Sequence, residues 1–218
     1  MRVEALVFDA YGTLYDVHSV VQRCESCFPG KGAQLSQLWR AKQLEYTWQR
    51  SLMRRYAPFS QVTREALAYS CAALGLELSV QRMEALLSEY LRLEPFAEVA
   101  AALERLPMKK AILSNGSPDL LEPLVRHSGL RLDAVLSVDA LRVYKPAPQV
   151  YELAVKALHL PKERIGFVSS NCWDALGAKS YGFTVYWINR SGAPLDALGF
   201  KPDAELRSLT ELPDEVLR

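Results

Sequence analysis

The chain has 218 residues, half of them apolar, which is enough to bury one sizeable core and to leave residues for a smaller lobe. Its 26 basic and 25 acidic residues give a net charge of +1, which argues against a nucleic acid or a membrane surface as partner. The N-terminal region holds one short apolar stretch rather than a signal peptide or a membrane span, so we expect a cytoplasmic protein.

The first predicted strand, Val3 to Phe8, leads directly into a polar turn that begins with Asp9. A carboxylate at the end of a buried parallel strand is where open α/β folds place their chemistry. Gly12 allows a backbone conformation that other residues avoid, and Thr13 offers a hydroxyl group. On the residues alone, Asp9 could also serve only to cap the turn.

The interval from about residue 16 to residue 93 contains helix formers and no convincing strand. Its apolar periodicity predicts helices over Gln34 to Tyr56, Thr63 to Leu74 and Val80 to Leu91. A helical insert directly after a catalytic turn is well sited to cover it and exclude water. A further helix, about Pro95 to Leu106, returns the chain to the core.

Cysteine usage predicts free thiols. Cys24 and Cys27 form a lone CxxC pattern after a helical-looking segment, with Cys71 and Cys172 elsewhere in the chain. No second pair completes a zinc site, and a redox motif would open a helix after a strand.

The remainder of the chain alternates between short apolar runs and helical patterns, which predicts βαβ units and a parallel sheet. The predicted strands are Ala111 to Ser114, Ala134 to Val138, Ile165 to Ser170, Thr184 to Ile188 and a short one near Ala204 to Leu206. The predicted helices between them are Pro118 to His127, Pro148 to Leu158 and Trp173 to Tyr181, and a terminal helix follows.

Polar residues follow four of these strands. Ser114 and Asn115 precede a helix for which Ser117 would be the N-cap, and Asp174 falls in the first turn of another helix. Pro146 keeps Lys145 out of a helix, so its ammonium group could be solvated or could reach the carboxylates. Each residue has an ordinary structural interpretation, but four polar strand ends at one edge of one sheet favour an active site.

The four segments DAYGTLYD, LSNGSPD, VYKP and FVSSNCWD resemble, in this order, the four motifs of the haloacid dehalogenase superfamily. The insert segments LWRAKQLEYTW, SLMRRYAPF and VTREALAY resemble the cap domain of its (S)-2-haloacid dehalogenase branch. The resemblance spans about residues 2 to 190. It implies an α/β fold with a doubly wound, Rossmann-like, mostly parallel sheet, formed by residues 1–15 and 94–218, and a helical-bundle cap formed by residues 16–93.

The resemblance also implies an activity: hydrolysis of (S)-2-haloacids to (R)-2-hydroxyacids and halide through an ester on Asp9, with inversion at the α carbon. The implied partners are a small 2-haloalkanoic acid and a halide ion, with no nucleic acid and no membrane, in a homodimer. Ala41 follows Arg40, which matches an arginine of the cap domain, at a position where many relatives are expected to have Gln, so the resemblance does not fix the polarity of the substrate pocket.

The resemblance assigns roles residue by residue. Asp9 is the nucleophile, and Lys145 lies beside it. Three residues are expected to orient the site: Thr13, Tyr151 and Ser169. Asp174 and Asn171 are expected to polarise and position the hydrolytic water.

The expected substrate-binding residues come from both the core and the insert. Ser114 and the backbone of Ala10, Tyr11 and Asn115 would bind the substrate carboxylate. Arg40, Asn115 and Trp173 would hold the halide, and an apolar wall would be formed by Leu44, Phe59 and Trp173. On the sequence pattern alone, Arg40 would be a solvated helix residue, and the resemblance reverses that preference.

The alternative within the superfamily is a Mg²⁺-dependent phosphatase. Such phosphatases generally carry a second Asp two residues after the nucleophile, where this chain has Tyr11. Ser170 and Asn171 likewise stand where an acid is common, which leaves Asp174 and makes a poor Mg²⁺ site. A halide leaves as an anion and needs no proton, so dehalogenation can proceed without the acid and the Mg²⁺ that phosphoryl transfer requires. We therefore expect no metal and no cofactor. A non-catalytic binding module is a third alternative.

Overall fold

The computed structural model describes residues 3–17 and 19–218, and its centre is a six-stranded, fully parallel sheet in the order β3-β2-β1-β4-β5-β6. This is the strand order of the Rossmann fold, so the predicted doubly wound parallel sheet is confirmed. The strands are β1 Ala5–Phe8, β2 Lys109–Ser114, β3 Ala134–Ser137, β4 Ile165–Ser169, β5 Thr184–Ile188 and β6 Ala204–Leu206.

The central strand β1 determines where the site lies. All four of its residues are buried, as expected for a strand covered on both faces. Phe8 is in register with Ile112 of β2 and Val168 of β4. Asp9 therefore leaves the sheet at the same edge as the ends of both neighbouring strands.

Helices flank the sheet and fill the interval between β1 and β2. None of those within residues 3–17 and 19–218 is both long and apolar enough to cross a membrane. The helices are α1 Ser19–Cys27, α2 Gly32–Leu52, α3 Phe59–Ala73, α4 Val80–Glu89, α5 Val99–Glu104, α6 Pro118–Ser128, α7 Pro148–Leu158, α8 Cys172–Tyr181 and α9 Leu212–Val216.

Two predicted helix boundaries are wrong for local reasons. The helix predicted to run to Tyr56 ends at Leu52, because the backbone at Arg54 turns into the left-handed region with φ of 57°. The helix predicted from Pro95 begins only at Val99. The N–H of Phe96 instead donates to the carbonyl of Leu14 (3.0 Å), which ties this segment to the turn after β1.

The helices α1 to α4 pack on one another, with α2 contacting both α1 and α3. The chain leaves the sheet for these helices and returns from them at neighbouring points, since Tyr15 and Pro95 form an antiparallel bridge. All four thiols are free, as predicted. Cys24 and Cys27, however, lie within α1 rather than after it.

Candidate active site

A buried ammonium group lies between two buried carboxylates at the carboxyl edge of the sheet. Lys145 Nζ donates to Asp9 Oδ1 at 3.1 Å and to Asp174 Oδ2 at 2.8 Å. The Lys145 side chain is fully buried, and the whole Asp9 residue is 6% exposed. A solvated Lys145 is thereby excluded.

Three different strand ends deliver these groups. Asp9 directly follows β1, and its N–H donates to the carbonyl of Val168 in β4 (2.9 Å). Lys145 lies in the loop between β3 and α7, and Asp174 lies in the first turn of α8. The turn after Asp9 depends on Gly12, whose φ of 81° is strained for residues with a side chain.

Burial shapes the ionisation of this group. Burial raises the pKa of Asp174 to about 6, although the Lys145 ammonium opposes the shift. For Lys145, burial lowers the pKa, but attraction to Asp174 and Asp9 outweighs it and the net direction is upward. Lys145 therefore remains charged.

Tyr151 completes the environment of Asp174. Its hydroxyl donates to Asp174 Oδ1 at 2.8 Å. Burial, followed by the charge of Asp174, raises the pKa of Tyr151 well above its ordinary value, so the hydroxyl stays a donor. Gly177 of α8 makes room for this contact, because a Cβ atom there would lie 2.5 Å from the Tyr151 hydroxyl oxygen.

The second oxygen of Asp9 accepts two further hydrogen bonds. Thr13 Oγ1 donates to Oδ2 at 3.1 Å, and Asn171 Nδ2 donates to the same oxygen at 2.7 Å. Ser169 lies one step further away, where its hydroxyl accepts from the N–H of Asn171 (3.1 Å). Asn171 thus contacts the carboxylate of Asp9 itself, a contact that the sequence did not predict.

The loop after β2 supports the site from the other side. Asn115 Oδ1 accepts from the N–H of Lys145 at 3.0 Å, and Ser114 Oγ accepts from the N–H of Gly116 at 3.0 Å. Ser117 is the N-cap residue of α6, as predicted, but its side chain makes no capping hydrogen bond. Its hydroxyl accepts instead from the N–H of Ser60 in α3 (3.2 Å), because α3 packs against this loop and supplies the donor.

The insert reaches the site through Tyr11. The Tyr11 ring is 3% exposed and stacks on Phe59 with ring centroids 5.7 Å apart. Burial raises the pKa of Tyr11 far above its ordinary value, and the charge of Arg40 partly opposes this shift. Phe59 and Arg40, both predicted site residues, therefore lie near the residue two positions after Asp9.

A second contact between α2 and the core involves Trp173. The half-buried Trp173 ring meets Trp48 of α2 edge to face, with centroids 5.6 Å apart. Leu44 is half-buried on α2, one helical turn after Arg40 and one before Trp48. Ala10 is fully buried, and its carbonyl accepts from the N–H groups of the following turn.

Comparison with known proteins agrees with this geometry. The model of the haloacid dehalogenase-like hydrolase family matches residues 3–182. This chain belongs to the haloacid dehalogenase-like hydrolases. It is 52% identical to the (S)-2-haloacid dehalogenase of Pseudomonas sp. (strain YL), over 95% of this chain and 91% of that protein, which places it in the (S)-2-haloacid dehalogenase branch.

Two solved structures of L-2-haloacid dehalogenases share the fold. One superimposes with a TM-score of 0.98 at 46% identity and covers 100% of both chains. The other, from Xanthobacter autotrophicus with chloropropionic acid covalently bound, gives a TM-score of 0.93 at 43% identity over 99% of this chain and 98% of that chain.

Many haloacid dehalogenase-like hydrolases use Mg²⁺, and the residues present here do not fit that ion. The Lys145 ammonium group already bridges the oxygens of Asp9 and Asp174. In the described part of the chain, no three or more His, Cys, Asp or Glu side chains form a group able to hold a metal ion. Mg²⁺ prefers octahedral coordination by oxygen ligands. Here the ammonium group already occupies the place between the two carboxylates that such a cation would need.

Sequence reasoning missed one residue that contacts the Asp9 turn of this hydrolase. Arg190 lies two residues after β5, and its guanidinium donates to the backbone carbonyl of Thr13 at 3.0 Å. The position of Arg190 could have indicated this contact, because β5 ends at the same edge of the sheet as the four strands already considered.

Proposed function

We propose that this protein hydrolyses (S)-2-haloalkanoic acids to (R)-2-hydroxyacids and halide through an ester formed on Asp9. The observation that carries the proposal is the buried Asp9 carboxylate, paired with Lys145 and contacted by Thr13 and Asn171. The sequence supplies Tyr11 where a phosphatase would need its second acid. The names of the relatives, and a neighbour with chloropropionic acid covalently bound, support the same reaction.

In the first step, an oxygen of Asp9 attacks the α carbon from the side opposite the halogen. A C–O bond forms, the carbon–halogen bond breaks, and the halide leaves with the bonding electron pair. One displacement inverts the configuration once, so an (S)-halide gives an (R)-product. The dry surroundings strengthen the nucleophile, because burial removes the water that would otherwise solvate the carboxylate.

In the second step, water attacks the carbonyl carbon of the Asp9 ester. Asp174 accepts one proton from that water, the bond between the carbonyl carbon and the substrate oxygen breaks, and the leaving alkoxide takes the second proton of the same water. The 2-hydroxyacid is released, the Asp9 carboxylate is regenerated with one oxygen from water, and Asp174 returns its proton to solvent. Lys145 and Tyr151 hold Asp174 in place. Asn171, already hydrogen-bonded to Asp9, would orient the water, and Ser169 would hold the Asn171 backbone.

The substrate carboxylate would bind Ser114, Asn115 and the backbone of Ala10 and Tyr11. Ser114 accepts one hydrogen bond from Gly116, and a hydroxyl that accepts can still donate its own proton. Arg40, Asn115 and the edge of Trp173 would receive the halide. Leu44, Phe59 and Trp173 would form an apolar wall beside the α carbon.

The division into two domains remains a proposal. Residues 16–93 would form a cap over the site, and residues 1–15 and 94–218 would form the core. The packing of Phe59 on Tyr11 and of Trp48 on Trp173 supports a cap that touches the catalytic edge.

We also propose a homodimer that assembles through the cap, in the cytoplasm. Leu52 and Met53, at the end of α2, are 85% and 60% exposed, which supports a partner surface there. The four free thiols fit a reducing compartment. Sedimentation of the purified protein would test the dimer.

The function is tested by measuring halide release from each enantiomer of 2-chloropropionate, with and without a metal chelator. We expect chloride release from the (S) enantiomer, unchanged by chelation, with (R)-lactate as product. Phosphate release from an aryl phosphate that requires Mg²⁺, without chloride release, would replace this proposal by the phosphatase alternative.

A further inference from the structure

Arg190 joins three segments that meet at the catalytic edge. Its Nη1 donates to the carbonyl of Gly12 (3.3 Å) and to Ser170 Oγ (2.8 Å), and its Nη2 donates to the carbonyl of Thr13 (3.0 Å). Glu98 Oε1 accepts from Nε at 3.0 Å and from Nη2 at 2.8 Å. The turn after β1, the loop after β4 and the segment that leads into α5 are thus held by one side chain.

These five contacts use all five N–H donors of a guanidinium group. The group also lies 3.8 Å from the centroid of the Phe96 ring, so one of its faces is packed. A lysine carries three donors on a single nitrogen and cannot reproduce this planar arrangement.

The contacts lead to the nucleophile through Thr13. Thr13 Oγ1 accepts from the N–H of Ser170 (2.9 Å) and donates its single proton to Asp9 Oδ2 (3.1 Å). Arg190 fixes the backbone carbonyl of Thr13 and the side chain of Ser170. It therefore fixes both the residue that carries this hydroxyl and the residue that orients it.

We propose that Arg190 is a positioning residue for the Asp9 nucleophile, acting through the Thr13 hydroxyl. This inference rests on the proposed dehalogenation. Its consequence is kinetic: loss of the guanidinium group lets the Asp9 carboxylate move from the line of attack, which slows the chemical step and leaves substrate binding intact. A displacement of about 1 Å at a reacting group can cost on the order of 10²-fold in rate.

The experiment compares Arg190→Lys with Arg164→Lys, using chloride release from (S)-2-chloropropionate. Arg164 is a matched control, because its half-exposed guanidinium pairs with Glu4 at 3.0 Å. We expect kcat of Arg190→Lys to fall by about 10- to 100-fold with KM nearly unchanged. We expect Arg164→Lys to match the unmodified enzyme.

A double-mutant cycle with Thr13→Val separates positioning from general stability. If Arg190 acts through the Thr13 hydroxyl, Arg190→Lys should cost only about threefold in the Thr13→Val background. An equal loss in both backgrounds would overturn the proposal, and so would an unchanged kcat in Arg190→Lys.

Ser170→Ala gives a second measurement if Arg190→Lys does not fold. It removes one acceptor of Arg190, and we expect a kcat loss that likewise shrinks in the Thr13→Val background. A loss of equal size in both backgrounds would again contradict the proposal. Failure of the unmodified enzyme to release chloride would overturn the dehalogenation itself, which is a different result from activity that is insensitive to Arg190.

Discussion

The catalytic edge of the sheet and the face of the insert that meets it are built differently. At the sheet edge, Asp9, Lys145 and Asp174 are joined by direct hydrogen bonds of 2.8 to 3.1 Å within the core. The insert contributes aromatic contacts, such as Phe59 on Tyr11, and hydrogen bonds between neutral groups, such as Ser60 to Ser117. The buried charges thus lie in the core, and the proposed roles of the insert are to select the substrate and to keep water from the site.

Replacing Lys145 should have the largest effect on turnover and stability. The buried charges are what most distinguishes the catalytic edge of the sheet from the insert, and Lys145 is the cation among them. Lys145→Met leaves the carboxylates of Asp9 and Asp174 buried without a counter-charge, so turnover should be lost. Removing one partner of a buried charge group costs about 3–5 kcal/mol of folding free energy. Urea unfolding and chloride release would measure both effects.

Lys179→Met is the matched control for this change. Lys179 pairs with Asp203 at 2.7 Å, with the two side chains 30% and 40% exposed. Such a surface pair contributes about 0–1 kcal/mol, so the control should fold and turn over normally. If Lys145→Met and Lys179→Met lowered the free energy of unfolding equally, the buried ion pairs of Lys145 would be no more important for stability than a surface ion pair.

Replacing Asp174 should separate the two chemical steps within the core. Asp174→Asn keeps the shape but loses the base, so hydrolysis of the ester should slow by about 10²- to 10⁴-fold. The ester on Asp9 should then accumulate and appear as added mass on the intact protein. If halide release stops without any adduct, Asp174 instead acts in the first step.

The ionisation of Asp174 makes hydrolysis of the ester depend on pH. Burial holds the pKa of Asp174 at about 6 in the free enzyme, and the negative charge of Asp9 contributes to the rise. Esterification removes that charge, so the acidic midpoint of ester hydrolysis should lie below about 6. Single-turnover rates across pH 4 to 8 would measure it (roughly the range over which the carboxyl would titrate). A midpoint above that of the free enzyme would be inconsistent with the proposed role.

Protonation of Asp174 at acidic pH does not destabilise the folded state. Its folded-state pKa lies above the ordinary value of 3.8, so the folded state takes up a proton first as the pH falls through about 6. Protonation of Asp174 therefore favours the folded state over this interval, and loss of activity near pH 5 should occur without unfolding.

Replacing Arg40 should have the smallest effect of these changes and should test the insert. Arg40→Ala removes the proposed halide donor, and loss of such a donor costs on the order of 10²-fold in kcat. Arg50→Ala on the same helix, where Arg50 pairs with Glu65, is the control and should be near normal. A normal rate in Arg40→Ala would refute the halide assignment.

The sequence allowed prediction of the sheet and of the residues at its edge, because parallel strands bring their carboxyl ends together. Strand alternation placed Asp9 and Asp174 at one edge of the sheet but left Lys145 either solvated or near them, and the resemblance to the superfamily placed Lys145 beside Asp9. Particular hydrogen-bond partners were not predictable, since packing decides them. Asn171 contacts Asp9, and the hydroxyl of Ser117, the N-cap residue of α6, accepts from α3 instead of from its own helix.

The hydrogen-bond partners of Arg190 were even less predictable from the sequence. An arginine in a loop after a strand is usually solvated, and nothing in its local sequence separates it from such a residue. Its five donors find their acceptors only because three segments distant in sequence converge there.

The proposed reaction requires a carboxylate oxygen of Asp9 to form a bond to the substrate. Single-turnover reaction of excess enzyme with (S)-2-chloropropionate in ¹⁸O-labelled water tests it directly, with mass spectrometry of the peptide that contains Asp9 and Asp9→Asn as the inactive control. The label should enter the Asp9 carboxyl group, and the first lactate formed should carry none. Label found in that first lactate, with Asp9 unlabelled, would contradict it.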